Sequence, residues 1–218
     1  MLVWLASYPR SGSKLIRMIL RRCFDLSSYD LYGGGGGGPL AALLGARQMP
    51  EAASDFVARA RREAGLFLVR THEFAEDDDH AIYIVRDGRA ALCSYQKFLR
   101  NFNGVEKSLP ELIADRCWPA RWQDHVERWL TRAPVRTLVL KYEDLTSAEP
   151  PLAAISAFLG VAVQREFDLS FEDIRTLNPK QFPVGHNGVG VETIERDHSE
   201  IFWRHCGTPM RRLGYAGR

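Results

Sequence analysis

No uninterrupted apolar run in this 218-residue chain approaches the ~20 residues that a membrane-spanning helix needs. No basic region precedes the apolar start Met1-Leu2-Val3-Trp4-Leu5, and Arg10 interrupts it too early for a secretory signal, so a cytoplasmic location is expected. Cysteine is scarce. Cys23, Cys93, Cys117 and Cys206 are scattered without CxxC spacing, which reads as reduced thiols and argues against a disulfide framework or a zinc site. His198, His205 and Cys206 lack a further ligand at metal-site spacing. Excess charge of one sign is missing too: 29 Lys and Arg against 27 Asp and Glu leave +2. A binder of phosphate backbones shows a concentrated basic face, so no nucleic-acid partner is expected. A small dianion, by contrast, needs only a few cations in one place. Repeats and domain-scale linkers are absent, and one domain spanning residues 1–218 is the economical reading.

What is present is an alternation. Short apolar runs at residues 2–7, 65–70, 81–85 and 135–140 read as strands. Helical spacing predicts helices over residues 14–24, 40–64 (interrupted near Pro50), 88–99, 119–132 and 152–159, with Gly160 closing the last. Shorter helices are predicted over residues 171–177 and 197–206. Nearly all-apolar strands alternating with helices signify an α/β fold: a single three-layer domain, its mainly parallel sheet flanked by helices. Residues 33–38 are six consecutive glycines. Glycine loses the most backbone entropy on ordering, so the run reads as an engineered replacement of a mobile loop, or as a natural flexible one.

Ligands of open parallel sheets bind beyond the carboxyl ends of the strands. The first strand is followed by Tyr8-Pro9-Arg10-Ser11-Gly12-Ser13, the second by Thr71 and His72, the third by Arg86 and Asp87, the fourth by Lys141, Tyr142, Glu143 and Asp144. A parallel sheet gathers Arg10, Arg70, Arg86 and Lys141 on one edge beside His72, which points to an anionic ligand with more than one phosphate-like group. The first loop lacks the opening glycine of the nucleotide-binding pattern GxxxxGK[ST]. Its amides from Arg10 to Lys14 can still meet a phosphate at a helix N-terminus; the alternative is an ordinary turn. Arg86 and Ser94 can hold one anion between them, or Arg86 can pair with Asp87 or Glu143. His72 is a candidate general base. Tyr142 packs on a base or on its neighbours.

In order along the chain, these segments resemble the sulfotransferases that use 3'-phosphoadenosine 5'-phosphosulfate. Tyr8-Pro9-Arg10-Ser11-Gly12-Ser13 looks like that family's 5'-phosphosulfate loop. Arg70-Thr71-His72 is similar to its K-T-H segment. The stretch from Arg86 to Ser94-Tyr95 resembles its 3'-phosphate segment, and Tyr142-Glu143-Asp144-Leu145 with Phe158-Leu159-Gly160 resembles its YEDL…FLG segment. The resemblance implies a P-loop NTPase-like fold, the donor named above and adenosine 3',5'-bisphosphate as product. It implies that His72 is the base and that Arg10 contacts the 5'-phosphate and the departing oxygen. Ser11, Gly12, Ser13 and Lys14 would donate to the 5'-phosphate, Arg86 and Ser94 would bind the 3'-phosphate, and Tyr142 would lie near adenine. No metal is implied. The acceptor expected is a hydroxyl of a small metabolite or sugar in a cleft lined by Trp118, Trp122, Phe98 and Phe102, aromatics that read equally well as core.

The chain departs from the pattern at Lys14 and at Leu15, which replaces the Trp that commonly stacks on adenine. Trp4 or Phe182 is the expected substitute. The late Arg-Lys pair is also missing, leaving Lys180, His186 or Arg196 to complete the 3'-phosphate clamp. Two rival readings are a magnesium- and ATP-dependent kinase, against which the missing first glycine argues, and a non-catalytic nucleotide-binding protein, against which His72 argues.

Overall fold

The computed structural model describes residues 1–32, 38–133, 135–177, 179 and 190–215. In chain order its main elements are β1 (Leu2–Ser7), α1 (Ser13–Phe24), β2 (Ser28–Asp30), α2 (Pro39–Leu43), β3 (Ala46–Arg47), α3 (Ala53–Arg62), β4 (Phe67–Thr71) and β5 (His80–Val85). They continue as α4 (Gly88–Phe98), α5 (Leu109–Ala114), α6 (Trp122–Leu130), β6 (Thr137–Lys141), α7 (Tyr142–Leu145), α8 (Leu152–Leu159), α9 (Phe171–Leu177), α10 (Val191–Asp197) and α11 (Ser199–Arg212). The strands form one sheet in the order β3-β2-β4-β1-β5-β6, and every pairing is parallel. This is the α/β architecture that the alternating pattern predicts.

The central strand β1 is buried along its whole length. Successive side chains of a strand point to opposite faces, and β1 feeds two cores in this way. Leu2, Trp4 and Ala6 join one with Val69, Tyr83, Phe56, Trp122 and Phe202. Val3 and Leu5 join the other with Ile16, Ile19, Leu68, Ile82 and Ile155. Among the described residues helices cover both faces, and the ends of the strands are where such a sheet receives a ligand. The register sets Ala6 beside Thr71, Ser7 beside Ile84 and Val85 beside Lys141. The ends of four strands thus share one edge.

Two strands were not anticipated. β2 and β3 have three and two residues, too few for a periodic signal, and β2 carries the polar Ser28 and Asp30. The helix expected over residues 40–64 is two helices with β3 between them. Its interruption falls at Gly45, not only near Pro50: Gly45 has φ 55°, and a Cβ there would lie 3.1 Å from the Leu26 carbonyl oxygen. Helix α5 was also missed, although Ser108 and Glu111 form a reciprocal capping box at its start. The helix predicted over residues 197–206 runs instead from Ser199 to Arg212 and follows the separate α10. Of the glycine run, only Gly38 is among the described residues. All four cysteines are free, and no described helix is long and apolar enough to cross a membrane.

Ile82 has no exposed surface and sits in the middle of β5. Ile82→Ala is expected to lower stability by about 2–5 kcal/mol. Chemical denaturation measures this, and a loss under about 1 kcal/mol would show that the site collapses around the cavity.

Candidate functional site

A cleft of about 770 Å³ opens at the shared strand edge. Its wall contains Arg10, Gly12, Ser13, Lys14, Arg70, His72, Arg86, Ser94 and Tyr142. Of the residues expected for catalysis and donor binding in the matching segments, all line it except Ser11, which is buried.

The loop between β1 and α1 is bent for this purpose. Arg10 adopts φ 68°, a left-handed conformation uncommon for a residue with a Cβ, and Gly12 adopts φ 107°. Gly12 also has no room for a side chain: a Cβ would meet Cδ2 of Tyr142 at 2.8 Å. The turn is closed by the Ser11 amide donating to the Tyr8 carbonyl at 3.1 Å, and the helix begins with the Ile16 amide donating to Gly12 at 3.1 Å. No side chain caps α1. A helix start that no described side chain caps suits an anion or water, with the positive end of the helix dipole behind it.

Cations gather around this helix start. Arg10 Nε donates to Ser94 Oγ at 3.2 Å, and Arg86 Nη1 donates to the Arg10 carbonyl at 3.1 Å. The Arg86 guanidinium lies 4.3 Å from the centre of the Tyr142 ring. Among the described residues Arg86 has no ion-pair partner, because the carboxylates that might have neutralised it are engaged elsewhere. Asp87 pairs with the buried Arg89, and Glu143 accepts from the Asp87 amide and the Tyr215 hydroxyl. Burial, then the Arg86 charge, lowers the Arg10 pKa. Burial and then Arg10 bring Lys14 down to about 8. Lys141 does not share in this cluster: its amine rests 5.1 Å from the Tyr215 ring centre.

Across the cleft stands His72. Its Nδ1 is 2.6 Å from the Ser7 carbonyl, which can only accept, so Nδ1 carries the hydrogen and Nε2 the lone pair. Burial, then the Arg70 charge, brings its pKa down to about 3, so the ring is neutral throughout the physiological range. The His72 amide donates to the Tyr32 hydroxyl at 2.8 Å, and the two rings stack at 5.6 Å. Trp118 meets both rings edge-on. Behind, the fully buried His125 lies with Nε2 2.8 Å from the His72 carbonyl and Nδ1 3.0 Å from the Tyr83 hydroxyl. The carbonyl requires a donor, so His125 donates through Nε2 and accepts from Tyr83. His125 thus fixes the backbone that carries the candidate base.

Several expectations need correction. Trp4 is core: its indole donates to Asp77 and does not reach the cleft. Trp122 is wholly buried, with its ring 3.0 Å from where a Cβ on Gly88 would stand. Trp118 and Phe98 line the cleft, while Phe102 stacks on Phe98 at 5.1 Å and is partly exposed. Arg196 is on the surface, paired with Asp197. Lys180, Phe182 and His186 lie outside the described residues. In place of Trp4, the apolar end of the cleft has Leu15, Met18, Phe167, Leu169 and Ile174. No motif signalled Phe167, since it follows the last recognisable segment by seven residues or so of irregular chain.

The residues fit a bis-anionic nucleotide. Ser11 Oγ and Arg86 Nε are buried without a partner, one under the phosphate loop and one at the opposite cation. Buried donors left unmet are costly, and phosphate oxygens at the two ends of a nucleotide suit both. The apolar end beyond α1 suits a base.

Comparison with known proteins agrees with this geometry. The family model described as the sulfotransferase domain matches residues 2–208. Mouse sulfotransferase 4A1 is 22% identical over 211 residues, covering 87% of this chain and 72% of its own, and the human protein gives the same figures. Mouse sulfotransferase SULT7A1, solved as a complex with PAP, superposes with a TM-score of 0.67 at 19% identity over 98% of this chain and 86% of its own. Retinol dehydratase, solved with androsterone and the inactive cofactor PAP, superposes with a TM-score of 0.65 at 15% identity over 96% of this chain and 80% of its own. A four-strand edge that delivers a phosphate loop, a neutral histidine and an arginine–serine pair to one cleft, in a chain matched almost end to end by one family model, places this chain in the sulfotransferase family.

Proposed function

We propose that the protein transfers the sulfuryl group of 3'-phosphoadenosine 5'-phosphosulfate to a hydroxyl of a small acceptor, with His72 as general base. One observation carries the reading: the lone-pair nitrogen of a neutral histidine faces the same cleft as an uncapped helix start and the Arg86–Ser94 pair. The single sheet that carries all these groups supports treating residues 1–218 as one domain. The four free thiols favour a reducing, cytoplasmic setting.

The roles follow from charge. The 5'-phosphosulfate belongs at the start of α1, held by the amides of residues 11–15, Ser11, Ser13 and Lys14. Arg86 and Ser94 hold the 3'-phosphate. The adenine belongs between Tyr142 and the apolar wall of Leu15 and Phe167. In the reaction the acceptor oxygen forms a bond to sulfur as its proton passes to His72 Nε2. The bond from sulfur to the 5'-phosphate oxygen breaks, and its electron pair stays on the nucleotide as adenosine 3',5'-bisphosphate. Arg10 and the loop dipoles face the charge that develops there. Tyr32, Trp118, Tyr95 and Phe98 make the wall near His72 largely aromatic. This favours an acceptor whose hydroxyl is borne on an apolar or ring-containing skeleton, a small metabolite or a sugar that offers a flat face.

Calorimetric titration tests the donor site. Tight binding of adenosine 3',5'-bisphosphate and weak binding of ATP with magnesium are expected; the reverse order would favour a kinase. Arg86→Ala should weaken the bisphosphate far more than adenosine 5'-phosphate, and an equal loss would remove Arg86 from the 3'-phosphate site. His72→Ala should leave bisphosphate binding intact and cut turnover by about 10²–10⁴-fold. A base that is already neutral gains nothing as pH rises. The wild-type kcat/KM should therefore show no acidic limb near the ordinary histidine value of about 6.5, and a limb there would assign the proton transfer to another group.

A further inference from the structure

The lone pair of the candidate base is already in use. With Nδ1 donating to Ser7, Nε2 accepts from Arg70 Nη2 at 2.6 Å. The same guanidinium is anchored from the other side, with Nη1 2.7 Å from both carboxylate oxygens of Asp30. Asp30 is almost completely buried, and it also accepts from Arg17 Nη1 at 3.2 Å and the Tyr32 amide at 3.0 Å. Arg70 Nε is buried without a partner, yet Arg70 lines the cleft. An acceptor hydroxyl and Arg70 cannot both donate to one imidazole lone pair.

We propose that Arg70, anchored by Asp30, caps His72 while the transferable group is absent, and that the negative charge of a bound sulfuryl group draws the guanidinium off Nε2 and so exposes the base. The proposal rests on the reading of His72 as base. Charge decides the direction of exchange. A hydrogen bond from guanidinium to an anionic oxygen is roughly twice as strong as one to a neutral acceptor. Nη1 can stay on Asp30 while Nη2 and the unpartnered Nε turn toward the anion. The proton later accepted by Nε2 comes from the acceptor hydroxyl, so Arg70 gives up no proton and the balance of the transfer is unchanged. The base is then available only when there is a group to transfer, and the donor must be in place before the acceptor can react.

Nitrogen-15 spectra of protein labelled at histidine test this, with the His72 signal assigned by its loss in His72→Ala. In the wild type, adenosine 3',5'-bisphosphate alone should leave Nε2 hydrogen-bonded. The bisphosphate with saturating inorganic sulfate, which carries the charge of the transferred group, should move Nε2 toward the value of a free lone pair. Arg70→Gln should show the free value without sulfate and be insensitive to it. The charged and titratable groups facing His72 are Arg70 from β4, Asp30 from β2, Tyr32 from the segment after β2 and His125 from α6. Removing the nearest cation makes the imidazolium easier to form, so the His72 midpoint in Arg70→Gln should rise by at least about one pH unit. Asp30→Asn keeps the guanidinium without its anchor and should also show the free value. A wild-type Nε2 indistinguishable from that of Arg70→Gln, or unmoved by sulfate, overturns the cap; a capped signal in Asp30→Asn overturns the anchoring role. Near-normal turnover of His72→Ala alongside the expected spectra would leave the cap standing and remove the base assignment instead.

Discussion

Five cationic side chains, Arg10, Lys14, Arg70, Arg86 and Lys97, line one cleft whose described wall contains no carboxylate. Like charges in a site of low dielectric repel strongly, and burial first, then that repulsion, lowers the pKa values of Arg10 and Lys14. Asp30, from below, offsets Arg70 and Arg17 but lies outside the wall. A cluster of cations of this kind is held together against its own field by the surrounding fold, and an anionic ligand would relieve the field directly. Binding of such a ligand to the native state alone also stabilises the fold by mass action.

The scaffold is built to withstand that field. The strand that delivers the phosphate loop is the most enclosed in the sheet, with a core on each face. The loop cannot relax away from its bent conformation, because Gly12 is pressed against Tyr142 on one side and Arg86 holds the Arg10 carbonyl on the other. His72 is fixed from both ends, by Ser7 at its ring and by His125 at its carbonyl. The Tyr83 hydroxyl behind His125 has no water to turn to and so holds that ring in one tautomer. Tyr8 packs edge-on against His125, which brings the start of the phosphate loop into contact with the support of the base. A disturbance at either half of the cleft reaches the other through a single buried ring.

Four of the six strands were legible because buried parallel strands are apolar runs, and the four site segments were legible because such strands end where ligands bind. β2 was not, since a three-residue strand whose inward side chains are Ser28 and Asp30 looks like loop. With β2 went Asp30 and Tyr32, and hence the anchor of Arg70. Their importance comes only from the pairing of Asp30 with Arg70 across neighbouring strands, a contact between residues forty apart. Aromatics misled for a related reason. Composition does not distinguish a ring that lines a cleft from one that fills a core. Strand parity could have done so for Trp4, which shares a face with Leu2 and Ala6, and the nearby Gly88 leaves just enough room for Trp122.

A histidine whose pKa lies near 3 is a weak base, and weakness ordinarily slows proton transfer. The causes of that value show why it need not persist during turnover. Burial comes first and Arg70 second, and only the second is a group that an anion can draw away. In the proposed reaction a sulfuryl group adds negative charge within the same enclosed space and competes for the guanidinium, so the second cause is the one the substrate would weaken. On the proposed roles, proton affinity at Nε2 would rise as the leaving nucleotide gathers charge, at the moment when the acceptor proton must move. The proposal thus has a neutral ring acquire basicity from the anion beside it, so that the strength of the base would be set by the donor more than by the fold.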